Sequence, residues 1–360
     1  MRNHLRPGVG IALVGTGSFF LAASATMAFY MAPKLVKTPL DVDSSTVATG
    51  VATLLDTEAL VGGVLKVDHD VPIRVLQKVT VEEPSNSDKI TMQSAVMLQR
   101  EDRAGPQATV NATVDRFTAN RRTAIPFDDP VGSIQKYTDQ PADEVSHDGL
   151  QLKFPFDVEP QSYPYFDTTA RRSQAINFAG EATFHDLDVY RFTQDIAPLD
   201  TGGKLSLPAA YWGIDGTEEI LMHRFYTARR ELLVEPRSGA IVFGKQYVKQ
   251  YYGRTADDPA AVTIVEMSPQ LDTATVDDQV QRAVDSKRLI DLVEVYAPAA
   301  LGITGLAALA LGIGAARARR HRAHILTVAM KDRDLETDHA ARDRSEAARE
   351  CVLNDHQEPR

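Results

Sequence analysis

Two stretches of the chain, 7–33 and 295–316, carry no charged side chain. Each is about 20 residues or longer, and at roughly 1.5 Å of rise per helical residue such a run crosses a hydrocarbon layer about 30 Å thick. Between them the apolar positions change period. Two-residue alternation or β-branched runs occupy 73–81, 90–98, 108–117, 189–192, 219–226, 231–235, 240–251 and 262–267, a pattern that predicts strands with one face buried. Turn-forming residues separate the runs at 84–88, 102–106, 201–203 and 236–239, and the last of these, Pro236-Arg237-Ser238-Gly239, predicts a hairpin. Helical spacing returns at 272–295, where Val276, Val280, Ala283 and Val284 recur among polar residues and lead into the second apolar run. The fold class this predicts is mainly β (α+β): a large antiparallel β-sheet or barrel-like extracytoplasmic domain between two transmembrane helices.

Charge sets the expected orientation. Arg2 and Arg6 precede the first run, and Arg317, Arg319, Arg320 and Arg322 follow the second, so both ends are expected on the cytoplasmic side. The domains are accordingly a cytoplasmic amino terminus (1–8), a first transmembrane helix (9–32), an extracytoplasmic β-rich domain (33–294), a second transmembrane helix (295–316) and a charged cytoplasmic tail (317–360). Ala23-Ser24-Ala25 has the small-x-small form of a signal-peptide cleavage site, but the apolar run continues through Met31, so an uncleaved anchor is predicted. The expected location is the plasma membrane. Tail residues 325–351 suit either a solvated helix with many ion pairs or a disordered segment. The histidines there, His321, His324, His339 and His356, lack a metal-site spacing.

The net charge of the chain is −10, and removing the amino-terminal flank (+2) and the tail (+1) leaves −13 on residues 33–294. A surface so negative repels nucleic acid, and no nucleic-acid partner is expected. The single cysteine, Cys351, lies in the tail, so the β-rich domain holds itself together without disulfides. One glycosylation sequon, Asn111-Ala112-Thr113, is near chance for this length.

No short motif with catalytic mechanics is present: no G-x-S-x-G, H-E-x-x-H, C-x-x-C or phosphate loop. His147-Asp148 and His185-Asp186 each join a base to a carboxylate, but neighbours on a strand point to opposite faces. Asp128-Asp129, Asp257-Asp258 and Asp277-Asp278 read as solvated carboxylates. The expectation is a protein that is not an enzyme, with no catalytic residue, no metal ligand and no cofactor. Neither apolar run holds an acidic, basic or histidine side chain, which suits anchors better than a transport path. Gly10, Gly15, Gly17, Gly302, Gly305 and Gly312 would let the two helices approach closely.

The middle of the chain carries a resemblance. Asp148-Gly149-Leu150, Phe154-Pro155-Phe156, Tyr163-Pro164-Tyr165-Phe166-Asp167, Phe178 with Gly180-Glu181, Val189-Tyr190-Arg191-Phe192 and Leu233-Val234-Glu235-Pro236 with Gly239 together resemble an actinobacterial family of two-anchor envelope proteins labelled the porin PorA family. The resemblance reaches to the second apolar run, and it implies an actinobacterial cell envelope. In layout alone, the chain is similar to class B scavenger receptors, with an anchor near each end and a β-rich outer domain. A strand-built porin needs a closed barrel with an apolar band facing lipid, whereas the charge of this domain is that of a water-exposed protein. The expected function is therefore a plasma-membrane-anchored envelope protein whose outer domain binds or conducts a hydrophobic lipid ligand. The aromatic residues Phe154, Phe156, Tyr163, Tyr165 and Phe166 are the candidates for lining its site. The same five also suit an ordinary core cluster at a proline-shaped corner. The alternatives are a scaffold that gathers envelope protein partners into a biogenesis complex and, last, an envelope hydrolase.

Overall fold

The computed structural model describes residues 9–137 and 139–354. Arg2, Arg6 and His356 lie outside the described residues, as does the side chain of Cys351. The chain divides into two compact units, Met1–Ala32 with Val293–Arg360, and Pro33–Leu292.

The first unit is helical. Helix α1 (Val9–Thr26) runs through a π turn at Met27–Met31 into the short α2 (Ala32–Leu35), while the carboxy-terminal helix, α5 (Ala297–Asn354), follows a π turn at Leu292–Tyr296. Both helices are long and apolar enough to cross a membrane. Their backbones meet at glycines, which lack the Cβ that would hold two helices apart. A Cβ on Gly17 would lie 2.8 Å from the Gly305 carbonyl oxygen, and one on Gly312 would lie 3.0 Å from that of Gly10. The Ser24 hydroxyl donates to the Pro298 carbonyl at 2.7 Å. Beyond the apolar stretch, α5 continues through the charged tail, where Arg342 and Asp338 form an (i, i+4) pair at 3.5 Å.

The second unit is a sheet, with a short helix α3 (Thr57–Val61) between its first two strands. Among the described residues its strands are β1 (Asp43–Leu55), β2 (Val67–Glu82), β3 (Lys89–Arg100), β4 (Thr109–Asn120), β5 (Ser133–Gln135), β6 (Asp143–Glu144), β7 (Tyr163–Asp167), β8 (Arg172–Phe184), β9 (Leu187–Pro208), β10 (Glu219–Val234), β11 (Ile241–Gly253), β12 (Val262–Met267) and β13 (Gln270–Leu271). Their order is β6-β5-β4-β3-β2-β1-β12-β11-β10-β9-β8-β7, with β13 pairing β1 and β11, and every strand pairing is antiparallel. The first strand is thus central. The chain works outward from β1 to β6 at one edge, returns at the other edge with β7, and works inward to β12.

Alternation decides which side chains go inward. On β2, Val71 and Ile73 are buried while Arg74 and Lys78 are exposed; on β10, Leu232 and Val234 join one core cluster and Leu233 joins another on the opposite face. That opposite face is covered by α4 (Thr273–Asp291), whose Ala283 packs on Leu187, Val189, Leu233 and Val242. Asp272 starts α4 by accepting from the Thr275 amide at 2.8 Å. The hairpin expected at 236–239 is present between β10 and β11, with Gly239 at φ 70°.

The two edges of the sheet are bridged. Leu150 donates its amide to the Pro164 carbonyl and accepts from the Phe166 amide, both at 2.8 Å, which fastens residues 147–151 to β7. The same segment reaches β4 through His147 and Gln151, and Arg171 beyond β7 pairs with Asp143 of β6 at 2.5 Å. The closure is barrel-like, made by a connecting segment and side chains rather than by direct pairing of the edge strands.

Candidate functional site: the seam of the sheet

Residues 147–158 form the seam. His147 lies between the rings of Phe117 and Phe166, at 5.3 and 4.1 Å between centroids, and so links β4 to β7. Its Nε2 is 2.9 Å from Asp115 Oδ1 on β4, and its Nδ1 is 2.9 Å from the Val145 carbonyl. Gln151 donates to the other oxygen of Asp115. Gly132 leaves room for the imidazole: a Cβ there would lie 2.3 Å from Nδ1.

A second buried polar group sits on the inward face beside it. Asp167, 3% exposed, ends β7 and accepts four hydrogen bonds: Thr169 and Ala170 amides at 2.9 and 2.8 Å, the Tyr226 hydroxyl at 2.7 Å and Arg230 at 2.5 Å. Burial raises the Tyr226 phenol well above its ordinary value, and the Asp167 charge adds to this. Burial opposes the Arg230 guanidinium, but Asp167 together with Tyr165 and Tyr226 outweighs it and raises the group above its ordinary value. Gln194 donates to the Gln174 carbonyl at 2.9 Å, while its side-chain oxygen is buried without a partner.

Lys153 fastens the seam to the β10–β11 turn. Its ammonium donates to the Phe154 and Ser238 carbonyls and lies 3.7 Å from the centre of the Phe156 ring. Burial pushes it down to about 7, with Glu235 and Asp157 acting against the shift. The backbones interlock here: Phe154, Asp157 and Val158 donate to the carbonyls of Gly239, Arg237 and Pro236 at 2.9, 3.1 and 2.7 Å.

The five aromatic candidates lie on or beside this seam. Phe154 is fully buried and meets Tyr163, Tyr165 and Phe192 at centroid distances of 5.6, 6.0 and 4.6 Å. Phe166 packs on His147, and Phe156 lies under Lys153. Phe154, Tyr165 and Phe166 are buried, while Phe156 and Tyr163 are partly exposed. A depression of about 400 Å³ lies elsewhere, where the β9–β10 register shifts, beside Asp195, Thr227, Arg229 and Tyr247.

The other paired residues of the sequence part company in space. His147 bonds Asp115 rather than Asp148, whose carboxylate accepts from Ser173 at 2.5 Å. His185 faces Asp277 at 3.9 Å, Asp129 pairs with Lys89, and Asp258 is held by Arg254. Among the described residues no three His, Cys, Asp or Glu side chains gather as a metal site. The Asp115–His147 and Asp167–Arg230 pairs join residues 32 and 63 positions apart, so no local spacing could have pointed to them.

Known proteins resemble this chain along most of its length. The family described as "Porin PorA" matches residues 9–314, which takes in α1, the whole sheet and the apolar part of α5. A protein named Porin PorA from Corynebacterium amycolatum is 27% identical, over 84% of this chain and 97% of its own length. Another of that name, from Corynebacterium resistens (strain DSM 45100 / JCM 12819 / GTC 2026 / SICGH 158), is 27% identical over 68% of this chain and 77% of its own. Two expectations are corrected by this. A plasma-membrane-anchored lipid binder conflicts with relatives named as porins, and the scaffold and hydrolase alternatives gain no support from them. A plasma-membrane location with both termini cytoplasmic falls with it, since porins belong to an outer envelope membrane.

Proposed function

Because this chain belongs to the porin PorA family, we propose that it forms a passage for small water-soluble solutes through an outer membrane of the cell envelope, without catalysis. The observation that carries the reading is the extent of the family match, residues 9–314, which spans the sheet and both apolar helices rather than one motif. Residues 9–32 and 295–316 cross lipid in this reading, and the sheet of residues 33–294 stands in water. Outward positions such as Arg74, Lys78, Arg191, Asp195, Arg229 and Lys245 are exposed and charged, where a lipid-facing strand carries apolar side chains.

Two helices whose apolar runs hold no acidic, basic or histidine side chain do not enclose a wet path by themselves. The passage is therefore built from several copies. The test is conductance of the full chain, purified in detergent and added to planar bilayers. The expected result is discrete current steps whose frequency rises more steeply than linearly with protein concentration. Inserted protein that leaves the bilayer silent at every concentration would overturn the reading.

A further inference from the structure

One end of the sheet collects both of the segments that lead to the apolar helices. On the side of α1, the Thr38 amide donates to the Arg121 carbonyl at 2.9 Å, Arg121 Nε donates back to the Thr38 carbonyl at 2.8 Å, and Lys37 bonds Asp88 at 2.8 Å. Arg122 reaches the Val36 carbonyl at 3.4 Å. On the side of α5, Arg237 holds Asp291, the last residue of α4, at 3.4 Å. Asp157 accepts from Arg237 and pairs with Arg122 at 3.5 Å, so one carboxylate joins the two attachments.

The β4–β5 loop lies at this same end, since Arg121 and Arg122 are its first residues. It exposes three apolar side chains in seven residues: Ile125 at 57%, Phe127 at 37% and Val131 at 45%. Leu40, also exposed, follows the Thr38 attachment by two residues. From Ala32 to Thr38 the chain reaches at most about 20 Å, so the loop is held within a short tether of the end of the first apolar helix.

We propose that the loop 125–131, with Leu40, docks on the surface of the membrane that the two helices cross, with its apolar side chains in the boundary between headgroups and acyl chains. This rests on the reading of both helices as lipid-crossing. Both connections to the helices leave the sheet at this one end, so the apolar side chains exposed there are the ones within reach of the lipid. The nearby cations Lys37 and Lys89 are paired with Asp88 and Asp129, and Asp128 accepts from the Ser146 hydroxyl at 2.6 Å, so the contact is apolar and needs no anionic lipid.

The sequence supplies an internal reference. Its single tryptophan, Trp212, is buried against Leu55, Met222 and Val262 at the far end of β1. The full-length F127W variant and the parent are reconstituted in phosphatidylcholine vesicles with brominated acyl chains, and flotation at alkaline pH confirms that each remains in the membrane. The expected result is strong quenching of the emission added by F127W, unchanged by salt, with Trp212 of the parent unquenched. Floating protein whose added emission is unquenched overturns the docking and leaves the helix reading standing. Protein that fails to float overturns both. Added emission that shifts blue only at high protein-to-lipid ratio assigns the loop to a second copy and likewise overturns lipid docking.

Discussion

Asp167 and Arg230 are charges sealed inside a sheet, and removing one leaves the other buried without its counter-charge. Replacing Asp167 by Asn keeps the shape but strips Arg230 of its counter-charge and the Thr169, Ala170 and Tyr226 donors of a full carboxylate. The expected loss is about 3–5 kcal/mol, measured as a lower denaturation midpoint of the full chain in detergent. Lys153 works in the other direction. Its folded value of about 7 lies below the ordinary 10.5, so between those values the unfolded chain binds a proton that the folded chain lacks, and stability rises with pH across the window. The K153M variant is expected to be more stable than the parent near pH 7 and to lose most of that slope between pH 7 and 10, read from denaturation midpoints at four pH values. Neither residue was legible as a candidate in the sequence. A buried charge declares itself by its partners, and those partners come from β10 and the turn after it.

Whole elements were more legible where their pattern was dense. The strands at 73–81 and 90–98 follow from their dense apolar and β-branched positions, and the hairpin at 236–239 from its turn residues. β1 and β8 were missed because small polar residues dilute their apolar positions, as in Ser44-Ser45-Thr46 and Gly180-Glu181-Ala182-Thr183. The central place of β1 beside β12 was beyond reach, since it depends on a pairing between the two ends of the domain. Glycines mark where elements touch. Gly239 has φ 70°, and a Cβ on it would lie 2.3 Å from the Phe154 carbonyl oxygen, so G239A should pull the seam from the β10–β11 turn. About 2 kcal/mol or more of destabilisation is expected, with faster hydrogen exchange at Phe154, Asp157 and Val158. In the helical unit, a Cβ on Gly17 would meet Leu309 Cγ at 2.7 Å, so G17V should separate α1 from α5. A lowered thermal midpoint with an unchanged strand signal in circular dichroism is the outcome that supports this. An unchanged midpoint would mean the pairing adds little.

At the scale of the whole molecule, the charge of −13 on residues 33–294 is the property that any passage through or beside the sheet would feel. Negative charge at the mouth of a pore raises the local concentration of cations and lowers that of anions, over a Debye length of about 10 Å at 0.1 M salt. Several copies side by side, as the proposed passage requires, would superpose their fields. The channel is therefore expected to prefer cations, and in a tenfold gradient of potassium chloride its reversal potential should move toward that of potassium. The preference should weaken steadily as both solutions are made more concentrated, because screening then confines each carboxylate to its immediate neighbours. A preference that is strong at 0.1 M and unchanged at 1 M would point to selection by a narrow ring of fixed groups inside the helices, which their uncharged apolar stretches do not supply. An anion preference would show that permeating ions never pass near the sheet, and would place the conducting path within the helical unit, beside the basic segment 317–322 of its long helix.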